Sequence, residues 1–168
     1  PDAYLETIAV QRRLAEALFR FDTLLFHGSV VAVDGAAYLF TAKSGTGKST
    51  HTSLYRPVYG DDRARILNDD KPALRLEDGR FYAYGTPWCG KEGWNRNDSA
   101  PLGGLCFLAR GEQNAIRRLS DGEAVDRIFA QLLKPQGADG IAETLRLADL
   151  MIRNIPIWEL SCTISREA

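Results

Sequence analysis

The feature that most constrains the fold of this chain is the glycine-rich run AKSGTGKST at residues 42–50. A β-rich run at residues 36–41 comes directly before it, and residues 48–55 can start a helix. Gly45 and Gly47 permit backbone turns that other residues resist, so the N–H groups of the loop can point inward toward oxygen atoms. A strand, a loop of this kind and a helix, in that order, form the phosphate-loop pattern. The sequence therefore predicts an α/β fold with a phosphate site at this loop.

The pattern also assigns chemistry to the polar residues of the loop. Lys48 can reach the β- and γ-phosphates of a nucleotide, and the hydroxyl of Ser49 can join the coordination shell of Mg²⁺. We therefore expect ATP and Mg²⁺ as cofactors. The predicted cofactor-binding residues are Ser44, Gly45, Thr46, Gly47, Lys48, Ser49 and Thr50. Ala42 stands where the strictest form of the pattern has Gly, and the alternative interpretation is a glycine-rich turn with an incidental lysine.

The rest of the chain alternates between helical and β patterns. Asp34-Gly35 and Asp78-Gly79 each separate two β-rich runs, which is typical of two-residue hairpins. Ser120 followed by Glu123 is a capping box that opens a helix. Further helices are predicted at 4–21 and 141–154, and further strands at 23–27, 64–67, 105–109, 115–119 and 157–164. The sequence predicts a single α/β domain over residues 1–168, whose sheet is part parallel and part antiparallel.

Composition and charge exclude several classes of partner. The formal net charge of −1 gives no global attraction to nucleic acid or to anionic lipid. No apolar run approaches the roughly 20 residues of a membrane span, and no charged-then-apolar leader opens the chain. Cys89, Cys106 and Cys162 show no metal-ligand spacing, which favours reduced thiols. We expect a cytoplasmic protein; the first residue is Pro1, so the length of any preceding segment is left open.

Two adjacent acids are candidates for metal binding and catalysis. Asp69 and Asp70 end the short β-run that follows the loop, where a phosphate-loop protein commonly carries a metal-orienting carboxylate. On an extended chain, adjacent side chains point to opposite sides. One acid, Asp69, is therefore expected to address Mg²⁺ together with Ser49, while Asp70 faces the acceptor hydroxyl, although the two roles are interchangeable at this stage. The alternative is an ordinary solvated Asn-Asp-Asp turn.

Hairpin register adds three more candidates. With Asp34-Gly35 as the turn, Gly28 lies opposite Thr41, and His27 lies opposite the mouth of the loop. Pairing the residues outward from the second turn, Asp78-Gly79, in the same way places Asp70 opposite the start of a long loop. This loop is GTPWCGKEGWNR at residues 85–96. Lys91 and Arg96 in that loop are candidates for stabilising the negative charge on a transferred phosphoryl group. The alternatives are a satisfied strand-end histidine for His27 and a solvated surface for the two cations.

These residues together carry a resemblance. His27-Gly28, the first hairpin, the run SGTGKST and the strand ending in Asp69-Asp70 resemble the catalytic domain of HPr kinase/phosphorylase. That family is related in fold to the ATP-dependent phosphoenolpyruvate carboxykinases, whose loop SGTGK is matched at 44–48. The resemblance covers residues 24–70 and extends to smaller stand-alone HPr-kinase-like proteins, some of which phosphorylate serine on peptides. It implies a P-loop domain of this type with flanking helices.

The resemblance implies roles and also limits them. His27 and the two acids would work on the acceptor hydroxyl and its proton, and Lys48 and Ser49 on nucleotide and metal. Thr50 stands where HPr kinases usually carry an acidic residue, and the 85–96 loop does not match an HPr-docking segment, so HPr itself is not the expected substrate. A complete carboxykinase is much longer than this chain.

We therefore expect an ATP-dependent kinase that acts on a hydroxyl, with serine of a small protein or peptide as the acceptor partner. Two alternatives stay open: a non-catalytic module that senses ATP, and a small-molecule kinase. The presence of His27 and of both acids favours a catalytic protein over a sensor, because a sensor would need only the glycine-rich loop. The identity of the acceptor, reverse phosphorolysis and the oligomeric state, a homo-oligomer included, are left open.

Overall fold

The computed structural model describes residues 2–163, 165, 167 and 168, with side chains from Leu5 onward. Within them it has the following elements. The helices are α1 (Asp2–Leu18), continued by a 3-10 turn (Phe19–Phe21), α2 (Lys48–Ser53), α3 (Tyr55–Tyr59), α4 (Asp121–Phe129) and α5 (Ala138–Asn154). The strands are β1 (Thr23–Leu25), β2 (Ser29–Val33), β3 (Ala36–Thr41), β4 (Ala64–Asn68), β5 (Ala73–Glu77), β6 (Arg80–Tyr84), β7 (Ser99–Arg110), β8 (Ala115–Arg118) and β9 (Ile157–Cys162).

The sheet mixes parallel and antiparallel pairs, which confirms the predicted α/β fold class. Seven strands run in the order β1-β5-β6-β7-β3-β2-β4, and β9 pairs with both β7 and β8. The long strand β7 joins the two halves: it pairs antiparallel with β6 at its start and parallel with β3 and β9 farther along. This arrangement sets the end of β3, where the glycine-rich loop begins, in the middle of the sheet.

Alternating apolar residues give the sheet two buried faces. On β2, Val30 and Ala32 pack into a large core with α4 and α5, whereas Val31 and Val33 face a smaller core on the other side. The side chain of Tyr55 in α3 packs against this second core. Because α2 and α3 follow the glycine-rich loop directly, the second core supports the helical side of the candidate site.

Both predicted hairpins are confirmed in type and register. Ser29 pairs with Phe40 across the first turn, and Ala73 pairs with Tyr84 across the second. The turn residues Asp34 and Asp78 have φ of 50° and 48°, and the glycines that follow them also have positive φ. Asp-Gly suits such turns because both positions need a positive φ. The capping box that opens α4 is confirmed as well.

Several predicted boundaries differ. The helix expected at 48–55 is two short helices, α2 and α3. The strand expected at 105–109 begins at Ser99, because residues 99–101 pair with β6. The first helix begins at Asp2. The last strand ends at Cys162, and Ile164, the end of its predicted range, lies outside the described residues.

No helix among the described residues has both the length and the apolar character that a membrane crossing needs. The thiols of Cys89, Cys106 and Cys162 are free.

Candidate functional site

The glycine-rich loop, residues 42–50, connects β3 to α2 and holds a largely buried cation. Gly45 and Gly47 have φ of 79° and 113°, a region that L side chains rarely adopt. Lys48 is 9% exposed, and its ammonium group donates a hydrogen bond to the carbonyl oxygen of Ala42 at 3.3 Å. Burial lowers the pKa of Lys48 from its ordinary value. No described carboxylate forms an ion pair with this ammonium group, so an anionic ligand would relieve its desolvation.

An arginine that was not among the predicted site residues connects the glycine-rich loop to the sheet. The guanidinium of Arg110, at the end of β7, donates hydrogen bonds to the carbonyl oxygens of Gly45 at 2.6 Å and Thr46 at 3.4 Å. These two hydrogen bonds therefore join the backbone of the loop to the end of β7. Nothing local in the sequence indicated this contact, because Arg110 is far along the chain from the loop.

His27 and Asp70 both lie close enough to Lys48 for its charge to interact with theirs. His27 Nε2 is 3.6 Å from Asp70 Oδ1, and the ammonium group of Lys71 is 2.8 Å from the same oxygen. The hydroxyl of Thr41 donates to the carbonyl oxygen of His27 at 2.8 Å, which ties the histidine to the end of β3 as the hairpin register predicted. The structure thus brings His27 and Asp70 together beside the loop and adds Lys71, which sequence reasoning missed.

The electrostatics of this group favour a neutral imidazole. Burial, followed by the positive charges of Lys48 and Lys71, lowers the pKa of His27, and the opposing effect of Asp70 is smaller. The ordinary pKa of histidine is already near 6.5. At neutral pH, His27 is therefore uncharged.

Asp69 points away from Asp70, as expected for adjacent residues at a strand end. It is 3% exposed, and its Oδ1 accepts a hydrogen bond from the N–H of Gly90 at 2.6 Å. Its Oδ2 is buried with no hydrogen-bond partner among the described residues. Burial raises the pKa of this carboxyl group. The 85–96 loop thus contacts Asp69 through Gly90, and its start lies beside the acids as the register predicted, because the hydroxyl of Thr86 donates to the carbonyl oxygen of Lys71 at 2.7 Å.

A buried amide organises both acids and the loop that crosses them. Asn68 is fully buried, and its Nδ2 donates to the carbonyl oxygens of Thr86 at 3.0 Å and Trp88 at 2.9 Å. Its Oδ1 accepts hydrogen bonds from the backbone N–H groups of Asp70 at 2.9 Å and Lys71 at 2.7 Å. One side chain therefore fixes the conformation of the acidic segment and the course of the facing loop.

The base of that loop also approaches β4 very closely. A Cβ atom at Gly85 would lie 1.9 Å from the carbonyl oxygen of Arg96 and 2.7 Å from that of Leu67. Both contacts are with backbone atoms, so no side-chain rotation would relieve them. Glycine at position 85 is therefore required for the loop to close over the acids.

We expect Asn68→Ala to be strongly destabilising. Its four hydrogen bonds with backbone groups would be lost, and the buried backbone groups left unpaired would lower the free energy of unfolding by about 2–4 kcal/mol. Urea denaturation measures the change. Asn95→Ala is the matched control, because the exposed Asn95 amide also donates to this loop, at Pro87, and should cost less than about 1 kcal/mol. Equal losses in the two variants would contradict the organising role of Asn68.

Among the described residues, the two predicted loop cations form no hydrogen bond or ion pair with the glycine-rich loop. Lys91 is exposed and forms no ion pair among the described residues. Arg96 is exposed, and its charge lowers the pKa of Asp61 and of Asp98, which places it among those carboxylates. Their catalytic role stays a prediction, and Lys71 is the cation that lies beside Asp70.

The residues present fit a nucleotide with Mg²⁺. No group of three or more His, Cys, Asp or Glu side chains among the described residues forms a complete metal cage. Mg²⁺ in nucleotide sites needs no such cage, because one or two carboxylates, waters and phosphate oxygens hold it. The unpaired Oδ2 of Asp69 and the half-buried Ser49 are suitable donors.

The comparisons with known proteins identify a family. The model of a family described as SynChlorMet cassette protein ScmC matches residues 5–167. The chain belongs to this family. No curated protein sequence matches it. Among solved structures, the Hpr(Ser) kinase/phosphatase from Coxiella burnetii is 11% identical, with 82% of this chain and 84% of that chain covered and a TM-score of 0.43. At these values the likeness does not identify this ScmC family member as an HPr kinase.

Proposed function

We propose that this ScmC family member transfers a phosphoryl group from ATP to a hydroxyl, with serine of a small protein or peptide as the acceptor. The observation that carries the proposal is the position of Lys48. It lies in a strand–loop–helix junction with two positive-φ glycines, and His27 and Asp70 adjoin it. A cation for phosphates and a carboxylate that can accept a proton are thus side by side, with a neutral imidazole next to the carboxylate.

On the nucleotide side, Lys48 would bind the β- and γ-phosphates. Its charge is partly desolvated and has no described ion-pair partner, so contact with phosphate oxygens would be strong. Lys71 extends the positive charge toward Asp70. Mg²⁺, held by Ser49 and Asp69, would neutralise charge on the phosphates. The remaining work of the protein is positioning and electrostatic stabilisation, as in other phosphoryl transfers.

On the acceptor side, Asp70 is the better proton acceptor of the two acids. About 30% of its side-chain surface is exposed, so a hydroxyl group can reach it, whereas Asp69 is buried under the 85–96 loop. Asp70 would accept the hydroxyl proton as the oxygen attacks the γ-phosphorus, and ADP would leave. The neutral imidazole of His27, 3.6 Å from Asp70, would help to orient the carboxylate.

The formation of ADP tests this proposal. We expect the protein with Mg-ATP to release ADP only slowly, and to release it faster when a serine-containing peptide encoded beside the protein is added. Mass spectrometry should then show one added phosphoryl group on that peptide. ATP binding without ADP formation, across peptides and small hydroxyl compounds, would instead indicate a sensor.

A further inference from the structure

A cavity of about 380 Å³ opens against the helical side of the glycine-rich loop. Thr46, Gly47 and His51 line it from the loop and α2, and Leu54 lies at the end of the same helix. Leu108 and Cys162, near the ends of β7 and β9, line the opposite wall. The volume is within the range of roughly 300–1,000 Å³ that small-molecule sites occupy. The cavity is mostly apolar, and neither Asp69 nor Asp70 lines it.

One side chain in this wall is polar, buried and unpaired. His51 is 6% exposed, and its Nε2 has no hydrogen-bond partner among the described residues. The ring is held by aromatic neighbours, with centroid distances of 4.7 Å to Phe40 and 5.7 Å to Tyr55. An unpaired buried donor or acceptor costs free energy that a ligand would restore. Because burial lowers the pKa of His51, its imidazole is neutral at physiological pH.

We infer that this cavity is the site of a purine base, the adenine of ATP, and that a ring nitrogen of His51 forms a hydrogen bond with the base edge. The inference rests on the proposed function, since it places the base of the nucleotide whose phosphates occupy the loop. The walls from Leu54 and Leu108 would contact the faces of the base, which are apolar. A neutral imidazole nitrogen can accept from an exocyclic amino group or donate to a ring nitrogen.

The position of the cavity supports a base rather than an acceptor. Gly47 and Thr46 belong both to the cavity wall and to the loop, so a ligand can reach from one to the other. The acceptor must approach the far end of the triphosphate, where Asp70 and His27 lie. Asp70 and His27 do not line the cavity, so a base in it and an acceptor beside Asp70 would not obstruct each other.

Cysteine labelling tests the location without any substitution. Cys162 lines the cavity and is half-buried, whereas Cys89 is half-buried in the 85–96 loop, on the acceptor side. We expect Mg-ATP to slow alkylation of Cys162 several-fold, and inorganic tripolyphosphate with Mg²⁺ to slow it much less. Any change at Cys89 should be the same with both ligands. Mass spectrometry of the two cysteine peptides gives the rates.

A substitution of His51 tests its hydrogen bond. His51→Phe keeps an aromatic ring between Phe40 and Tyr55 but removes the nitrogen, so affinity for ATP should fall about 3–10-fold while affinity for tripolyphosphate is unchanged. The midpoint of thermal unfolding without ligand should rise by about 2–4 °C, because an unpaired polar atom is removed. Tyr55→Phe, the matched control in the same aromatic group, should change neither affinity more than about twofold.

The outcomes separate the two proposals. Weaker ATP binding by His51→Phe, together with selective protection of Cys162, supports the base site. Equal affinities for ATP and tripolyphosphate, with equal protection of Cys162, would overturn the base site and leave the phosphate site standing. If neither ligand binds, the proposed function fails, and the base site fails with it.

Discussion

Replacement of Lys48 by alanine should reduce the affinity for Mg-ATP by roughly 100-fold or more, because the variant lacks the buried cation that the phosphate oxygens would pair with. The free energy of unfolding should stay within about 1 kcal/mol of the original value. In the structure the ammonium group makes one described hydrogen bond, to Ala42, and its burial already lowers its pKa. The side chain therefore contributes little to the fold. Isothermal titration with Mg-ATP and urea denaturation measure the two quantities.

Lys43→Ala is the matched control for this experiment. Lys43 belongs to the same loop and carries the same charge, but its side chain is exposed. Its replacement should change ATP affinity by less than about fivefold, since exposed charge pairs are worth little. A Lys48→Ala protein that keeps its ATP affinity and its kinase activity would refute the assignment of the phosphate site.

Replacement of Asp70 by asparagine should lower the rate of phosphoryl transfer by about 10²–10⁴-fold with little loss of nucleotide affinity. Asparagine keeps the size of the side chain but is not basic, so it cannot accept the hydroxyl proton. Asp69→Asn should act differently: its amide oxygen can still accept the hydrogen bond from Gly90, but the negative charge available to Mg²⁺ is lost. Affinity for Mg-ATP should then fall together with the rate.

Titration of Mg-ATP into both variants, followed by turnover measurements, separates these effects. Asp78→Asn is the control, because Asp78 is an exposed turn residue of the second hairpin, where asparagine is also suitable. If both Asp69→Asn and Asp70→Asn keep full activity, the two acids belong to a structural turn and the proposed mechanism is wrong. If their effects are exchanged, the roles of the acids are reversed.

Features encoded within a few residues were predictable from the sequence. Each Asp-Gly pair needs positive φ at adjacent positions, so both hairpins and their registers follow from local chemistry. Ser120 and Glu123 cap α4 for the same local reason. From the first hairpin register, His27 could be placed near the mouth of the glycine-rich loop before any coordinates were known.

Features that depend on distant parts of the chain were not predictable. The start of β7 carries no strong strand signal, and it is a strand because β6 pairs with it. In the sequence, Asn68 has the composition of an ordinary turn. In the structure it is buried, and its side chain connects the acidic segment to the 85–96 loop. Arg110 and Lys71 were missed because their partners are set by packing or by the turn that Asn68 fixes. The contact of Gly90 with Asp69 has the same origin.

The central claim is transfer of the γ-phosphoryl group from ATP to a hydroxyl at this site, and the fate of that group tests it most directly. ATP labelled on the γ-phosphate would be incubated with the protein, Mg²⁺ and a serine-containing peptide encoded beside it, with Lys48→Ala and a chelator of Mg²⁺ as controls. The account predicts label on the serine oxygen of the peptide, none with Lys48→Ala and none without Mg²⁺. Label that stays on ATP, or is released only as inorganic phosphate with every acceptor tried, would contradict it.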